Sequence, residues 1–311
     1  MLASEAQADG RIALRQPLKR LAMVTLLLLV CFGIPCLQLL TFSLHSELFS
    51  YIPLIPFISG YLIWSNRQRL VPEVRPCWPG GAAFGVAGAA LIAGYWIAYQ
   101  KGILVGGQED YLALMALSLL CFFWGACLAL LGPRMMGQVA FPAAFLVFAV
   151  PLPISWLDSI NTFFQYTSAA TAVAFLRAYG TAVTQEGLNL RLPGDFAVNI
   201  APECSGIHST MVLFITAWIA GYMFLNRAWP RAVLVLMVIP LAILRNGFRI
   251  FVIAELCVHI SHEMIHSPIH RKGGPLFFAL SLIPFLLFLM ILRRFNSTVR
   301  PPLKTGLPSN L

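Results

Sequence analysis

The chain has 311 residues, of which 59% are hydrophobic and 11% are charged, and its formal net charge is +9. An ordinary soluble domain carries about 25% charged residues, so this composition excludes a soluble globular protein and indicates an integral membrane protein. The positive charge does not indicate a nucleic-acid partner, because the basic residues lie in small groups between apolar runs, as topology signals do.

Apolar runs of about 20 residues recur along the chain and predict an all-α membrane protein, a bundle of about eight transmembrane helices. We expect a single polytopic domain over residues 21–294, a cytoplasmic segment over residues 1–20, and a disordered cytoplasmic tail over residues 295–311. The predicted spans cover residues 21–42, 48–64, 81–99, 111–131, 139–156, 207–224, 232–253 and 275–292.

The distribution of basic residues predicts the orientation of these spans. With a cytoplasmic N-terminus, most of the 21 Lys and Arg residues fall in inner segments. The outer segments then hold only Lys101, Arg177, Arg191, Arg271 and Lys272. Cytoplasmic loops of membrane proteins are enriched in Lys and Arg, so both termini are predicted to be cytoplasmic.

Two outer segments are long enough to carry function. The first lies between the fifth and sixth spans, and it is predicted to contain a short interfacial helix over residues 159–179 and a β-hairpin over residues 187–200. The second covers residues 254–274 and holds four of the six histidines.

Cys204 lies in a polar stretch between Glu203 and Ser205, unlike the other six cysteines of the chain. It directly precedes the sixth span, and the start of a helix lowers the pKa of a thiol because unpaired backbone N–H groups stabilise the thiolate. This position predicts a reactive thiol at the outer membrane face. The alternative is an inert thiol that behaves as a small hydrophobe.

Arg245 and Arg249 lie four residues apart, hence on one face of the seventh span, with Asn246 beside Arg249. A charged residue within a span is costly and indicates a functional site or a buried ion pair, for which Glu255 is a candidate partner. The alternative is that the guanidinium groups extend to the lipid headgroups.

The second outer segment is rich in histidine, which suits an acid–base or metal-binding role. Its histidines are His259, His262, His266 and His270. His262, Glu263 and His266 also match the pattern of zinc metalloproteases, in which two histidines one helical turn apart bind the metal and the glutamate activates water. Because Pro268 disfavours a helix there and no clear third ligand stands out except His270 or a distant acid, we predict no metal and no cofactor.

Three short motifs in the second half of the chain together resemble the exosortase and archaeosortase family, most closely the bacterial exosortases. They are Glu203-Cys-Ser-Gly-Ile207, Asn246-Gly-Phe-Arg-Ile250 and His270-Arg-Lys-Gly-Gly274, at the outer ends of the last three predicted spans. The resemblance implies a cysteine protease or transpeptidase of the bacterial inner membrane with its site on the periplasmic side. It also implies protein substrates with a C-terminal sorting signal: a short motif, often Pro-Glu-Pro, then a transmembrane helix and a basic cluster.

The same resemblance implies roles for individual residues. Cys204 is the expected nucleophile, Arg249 the residue that stabilises the oxyanion or the substrate carbonyl, and His270 the acid–base residue, with His266 as runner-up. The expected supporting residues are Glu203, Ser205, Arg245 and Asn246. A polysaccharide or lipid-linked molecule is a candidate acceptor for the acyl group, which leaves a transferase half-reaction open.

Two other functions stay open on the residues alone. An interfacial zinc metalloprotease using His262, Glu263 and His266 predicts inhibition by chelators and no effect of losing Cys204. A transporter would line its path with the two intramembrane arginines and predicts solute flux. The lack of a repeated or interrupted pair of spans argues against the transporter.

Overall fold

The computed structural model describes residues 2–71, 73–102, 107–193, 196–200, 205–260 and 274–297. These residues are mostly helical, with one small antiparallel sheet, which confirms the predicted all-α membrane protein. The chain divides into two compact units, Met1–Asp158 and Ser159–Leu311.

The described elements follow one another as helices, then three short strands, then helices again. The first unit contains α1 (Leu2–Cys31), α2 (Gly33–His45), α3 (Leu54–Asn66), α4 (Trp78–Gln100), α5 (Gln108–Leu130), α6 (Pro133–Gln138) and α7 (Ala140–Phe145). Helix α8 (Ile154–Tyr179) begins at the end of the first unit and belongs mostly to the second. The second unit continues with β1 (Thr184–Glu186), β2 (Asn189–Leu192), β3 (Phe196–Asn199), α9 (Ile207–Phe224), α10 (Ala228–Leu236), α11 (Val238–His259) and α12 (Gly274–Ser297).

Five helical segments of the described chain are long and apolar enough to cross a membrane, and the number rises to seven if each of two bent helix pairs is one span. The predicted count of eight is therefore not confirmed. The five segments are α4, α5, α9, α10 joined to α11, and α12. They agree with the predicted spans at residues 81–99, 111–131, 207–224, 232–253 and 275–292.

Prolines divide two of the other predicted spans. Over residues 21–42, α1 and α2 meet at an angle of 74°, where Pro35 has no N–H to donate to the carbonyl of Cys31. The run at residues 139–156 is split between α7 and α8, with Pro151 and Pro153 between them. The run at residues 48–64 forms only α3, whose 13 residues reach about 20 Å, less than the thickness of about 30 Å of a bilayer core.

Glycines allow α4 and α5 to pack closely in the first unit. A Cβ atom added at Gly81 would lie 2.9 Å from the carbonyl oxygen of Gly125 and 2.8 Å from the Cβ of Ala129. The hydroxyl of Ser118 on α5 donates a hydrogen bond to the carbonyl of Gly88 on α4 over 2.8 Å. Such close approach is typical of helix pairs in membranes, where packing and interhelical hydrogen bonds drive association.

We expect Gly81→Leu to destabilise the protein and Gly94→Leu, in the same helix, to have little effect. Both changes improve helix propensity similarly, but no atom lies within 4 Å of a Cβ at Gly94. Overpacking costs about 1–3 kcal/mol, so the thermal midpoint of the purified protein in detergent should fall for the first variant only. Equal midpoints would contradict the close contact between α4 and α5.

The sheet in the second unit has the strand order β1-β2-β3, with both pairs antiparallel. The predicted hairpin is confirmed: Asn189 lies opposite Asn199, and Leu192 lies opposite Phe196. Strand β1 is an addition to that prediction. One face of the sheet is buried against α8 and α11 through Leu190, Leu192, Val198 and Ile200.

Helices α9 to α12 share an apolar core in which Leu213, Val238 and Phe285 are at most 1% exposed. Helices α10 and α11 form a nearly continuous segment of 32 residues. It is interrupted after Leu236 because Pro240 has no N–H to donate to that carbonyl. Since α9 has only 18 residues, the second half of α11 runs past the start of α9 and packs on α8 and the sheet.

Candidate functional site

The structure describes part of the predicted site. The described members are Ser205, Arg245, Asn246 and Arg249. Those that lie outside the described residues are Glu203, Cys204, His262, Glu263, His266 and His270. No group of three or more potential metal-ligating side chains occurs within the described part of the chain. The roles of the undescribed residues therefore stay predictions.

Ser205, which follows Cys204 in the chain, is held by α8. It is 1% exposed, and its hydroxyl donates a hydrogen bond to Oδ1 of Asn161 over 2.6 Å. The same hydroxyl oxygen accepts a hydrogen bond from the backbone N–H of Ile207 over 3.4 Å. With one bond donated and one accepted, this buried hydroxyl is satisfied, which fixes Ser205 relative to α8.

Gly206 precedes α9 in the left-handed conformation, with φ of +69°, and its carbonyl oxygen is contacted from two helices. Within α9 it accepts the N–H of Thr210 at 3.1 Å and the hydroxyls of Thr210 at 2.8 Å and Ser209 at 3.2 Å. From α11 it accepts Nη2 of Arg245 at 3.1 Å, and the same nitrogen donates to Oγ1 of Thr210 at 3.0 Å. The guanidinium group of Arg245 thus joins the start of α9 to the middle of α11.

The space beside Gly206 is filled by α11. A Cβ atom at Gly206 would lie 3.0 Å from Oδ1 of Asn246 and 3.3 Å from Nη2 of Arg245. Both side chains are buried, with 2% and 8% of their surfaces exposed. Glycine is therefore favoured here for two reasons, its backbone conformation and the close approach of α11.

Helix α8 also binds Ile200, the residue that precedes the 201–204 segment. Gln165, one helical turn after Asn161, donates its Nε2 to the carbonyl of Ile200 over 3.3 Å. At Gly247, α11 approaches α8 so closely that a Cβ would lie 2.6 Å from Cγ2 of Thr171. Both neighbours of the segment that contains Cys204 are thus fixed by side chains of one helix.

The two intramembrane arginines differ in their surroundings. Arg245 is almost fully buried, and its Nη1 has no hydrogen-bond partner among the described residues. Arg249 lies one turn further along α11 and is half-buried. The candidate ion-pair partner Glu255 accepts a hydrogen bond from the hydroxyl of Thr181 at 2.6 Å, and its other oxygen lies 3.0 Å from Nε2 of His259.

A family model described as transmembrane exosortase matches residues 43–287 of the chain. The chain belongs to the transmembrane exosortase family. The resemblance carried by the three short motifs is therefore confirmed, and family membership indicates a membrane-embedded sorting enzyme. Searches of curated proteins and of solved structures found no match.

Three polar residues of this exosortase are identified as part of the candidate site only by the structure. Asn161, Gln165 and Thr210 belong to none of the three motifs, yet they hold the backbone on either side of residues 201–204 or bind Arg245. The sequence does contain one signal for the first two. They are uncharged polar residues four apart, hence on one face of a helix.

Proposed function

We propose that this exosortase is a membrane-embedded cysteine protease or transpeptidase that cleaves the C-terminal sorting signals of exported proteins. The signal consists of a short motif of the PEP-CTERM kind, a transmembrane helix and a basic cluster. The observation that best supports this function is the anchoring of the backbone next to Cys204. Ser205 is bound by Asn161, and Gly206 is bound by Arg245.

The proposed reaction begins with attack of the Cys204 thiolate on the scissile carbonyl carbon. A C–S bond forms and the carbonyl electron pair moves to oxygen; the oxyanion then collapses and breaks the C–N bond. His270, or His266 in its place, gives a proton to the leaving amine and later takes one from the acceptor. Attack on the thioester by water gives hydrolysis, and attack by a polysaccharide or lipid-linked nucleophile gives transfer.

The two arginines have different parts in this proposal. Arg245 is a positioning residue, because its Nη2 is already bound to Gly206 and Thr210 at the start of α9. Arg249 is half-buried on the same face of α11 and stabilises the oxyanion or the substrate carbonyl. One well-placed donor contributes about 3–4 kcal/mol to transition-state stabilisation. Asn246, packed against Gly206, supports this arrangement together with Glu203 and Ser205.

The proposed location is the bacterial inner membrane, with both termini cytoplasmic and the reaction on the periplasmic side. This orientation assumes the eight spans predicted from the sequence, between which Lys and Arg are distributed as cytoplasmic and outer loops require. Contact with the lipid bilayer follows from the long apolar helices. A substrate anchored by its own transmembrane helix then meets the site from within the same membrane, which lowers the entropic cost of orienting its scissile bond.

Detection of the acyl-enzyme tests this function. Membranes that contain the protein and a secreted reporter fused to a C-terminal sorting signal are expected to yield a covalent adduct between the two. Hydroxylamine should release the reporter, because it cleaves thioesters, and mass spectrometry should assign the adduct to Cys204. Cys31→Ala, which changes an exposed cysteine on α1, is the matched control and should leave the adduct intact.

Processing that continues without such an adduct and stops with a chelator would contradict this mechanism. That outcome would favour the zinc metalloprotease that uses His262, Glu263 and His266.

The hydrogen bond between Asn161 and Ser205 gives a second prediction. We expect Asn161→Ala and Ser205→Ala each to lower processing about tenfold, because one buried hydrogen bond is worth about 1 kcal/mol and its loss shifts the adjacent backbone. The double variant should be no worse than either single variant, since both remove the same interaction. Thr167→Ala, on the same helix, is the control, because within the described part of the chain that hydroxyl bonds to carbonyls of its own helix. Additive losses would argue against a shared positioning role.

A further inference from the structure

Strand β3 forms one edge of the sheet in the described part of the chain. The backbone N–H of Ile200 donates to the carbonyl of Leu188 over 3.0 Å, in the same register as the pairs of β2 and β3. In an antiparallel pair, hydrogen-bonded and non-hydrogen-bonded positions alternate. Val198 therefore faces β2, whereas the N–H and C=O groups of Ala197 and Asn199 point away from the sheet.

The two edges of the sheet differ in how they are protected. Strand β1 carries Glu186, which pairs with Arg191 over 3.0 Å, and charged side chains on an edge discourage the addition of another strand. Strand β3 has the sequence Phe196-Ala-Val-Asn199, with neither charge nor proline. Its sequence therefore lacks the charges and prolines that discourage pairing with an extended chain.

Strand β3 is also fixed in place by contacts with α8 and α11. Leu190 and Ile200 on the buried face are 0% and 2% exposed and pack against α8 and α11. Gln165 of α8 binds the carbonyl of Ile200, and Asn161, one turn earlier, binds Ser205. The same helix face thus fixes the end of β3 and the residue that follows Cys204.

We propose that the edge of β3 that is unpaired among the described residues binds the extended backbone of the substrate beside its scissile bond, as an additional strand. This inference rests on the proposed function, and it names the backbone of a polypeptide as the ligand. Only five residues separate Asn199 from Ser205, so the edge is close in sequence to the proposed nucleophile. Ala197 and Asn199 offer four backbone groups, which give affinity that does not depend on sequence and leave specificity to side chains.

Two proline substitutions test the edge by removing one N–H each. Ala197→Pro removes an N–H of β3 that points away from the sheet. Gln185→Pro removes the corresponding outward N–H of β1, at the other edge of the sheet. The register of β1 with β2 places Gln185 between the two hydrogen-bonded positions Thr184 and Glu186. Proline is tolerated at edge positions whose N–H faces away from the ladder.

Capture of the sorting-signal reporter is measured with both variants in the Cys204→Ala background, so that no turnover occurs. We expect the apparent affinity to fall about three- to tenfold for Ala197→Pro, the equivalent of one hydrogen bond, and to stay within about twofold for Gln185→Pro. Equal affinities for the two variants would overturn the proposal. Capture of the reporter does not require the acyl-enzyme. Absence of the Cys204 adduct would therefore contradict the proposed reaction, while the affinities of the two proline variants would still test binding at the edge of β3.

Photocrosslinking keeps the test valid if Ala197→Pro fails to fold. A benzoylphenylalanine placed at Ala197, whose side chain lies on the exposed face, should form an adduct with the reporter. The same group at Thr184 of β1, which is exposed on the same face of the sheet, should form none. No adduct from position 197, or equal adducts from both positions, would also overturn the proposal.

Discussion

Replacing Cys204 by alanine is expected to lower processing of a sorting-signal reporter by about a thousandfold or more, because the acyl-enzyme cannot form without the nucleophile. His262→Ala is expected to retain most activity, since neither His266 nor His270 is altered. The measurement is the ratio of cleaved to uncleaved reporter in membranes that contain equal amounts of each variant.

The opposite pattern would contradict the cysteine mechanism. If Cys204→Ala processes the reporter normally and His262→Ala does not, the metalloprotease is the better description. A chelator added to wild-type membranes gives an independent measurement, because a cysteine mechanism without metal should be insensitive to it.

Gly206→Ala is expected to lower processing about a hundredfold. The methyl group would be forced against Oδ1 of Asn246 and Nη2 of Arg245, at 3.0 and 3.3 Å, and a displacement of about 1 Å near a reacting group can cost this much. The left-handed backbone adds a further cost of about 1–2 kcal/mol for any residue with a Cβ.

Gly187→Ala is the matched control for this prediction. Gly187 also has a left-handed backbone, with φ of +64°, but no atom lies within 4 Å of a Cβ there. The control therefore shares the conformational cost without the contact with α11, and we expect its activity to fall much less. Similar losses in the two variants would show that backbone strain, and not the displacement of Asn246 and Arg245, explains the effect.

The spans that agree with the sequence are apolar runs that the structure keeps as one long segment, even where Pro240 and Pro284 lie near the centre of the run. For α9 the predicted bounds equal the observed ones, Ile207–Phe224, because Gly206 and the polar residues before it mark a clear start. Hydropathy does not register the breaks at Pro35, Pro151 and Pro153, because proline scarcely changes the mean hydropathy of an apolar run. Proline instead disturbs the helix because it has no backbone N–H to donate to the preceding turn.

The site was predictable only where a residue is unusual on its own. A buried arginine within a span is costly wherever it lies, so Arg245 and Arg249 stand out from sequence alone. Asn161 is an ordinary polar residue in a helix, and its role depends on a partner 44 positions away. The contacts of Arg245 likewise depend on where α9 begins beside α11, and no local sequence pattern encodes that position.

The contacts that hold the site join residues far apart in sequence, with consequences for how the protein is made. Asn161 and Ser205 are 44 positions apart, and Gly206 and Arg245 are 39 apart. A growing chain therefore completes Cys204 before α11 has been synthesised, and Gly206 then lacks its guanidinium partner. Gly206 gains its hydrogen bond from Arg245 only when the later helix docks. A truncated or partly inserted chain is thus expected to lack the contacts of Arg245 with Gly206 and Thr210.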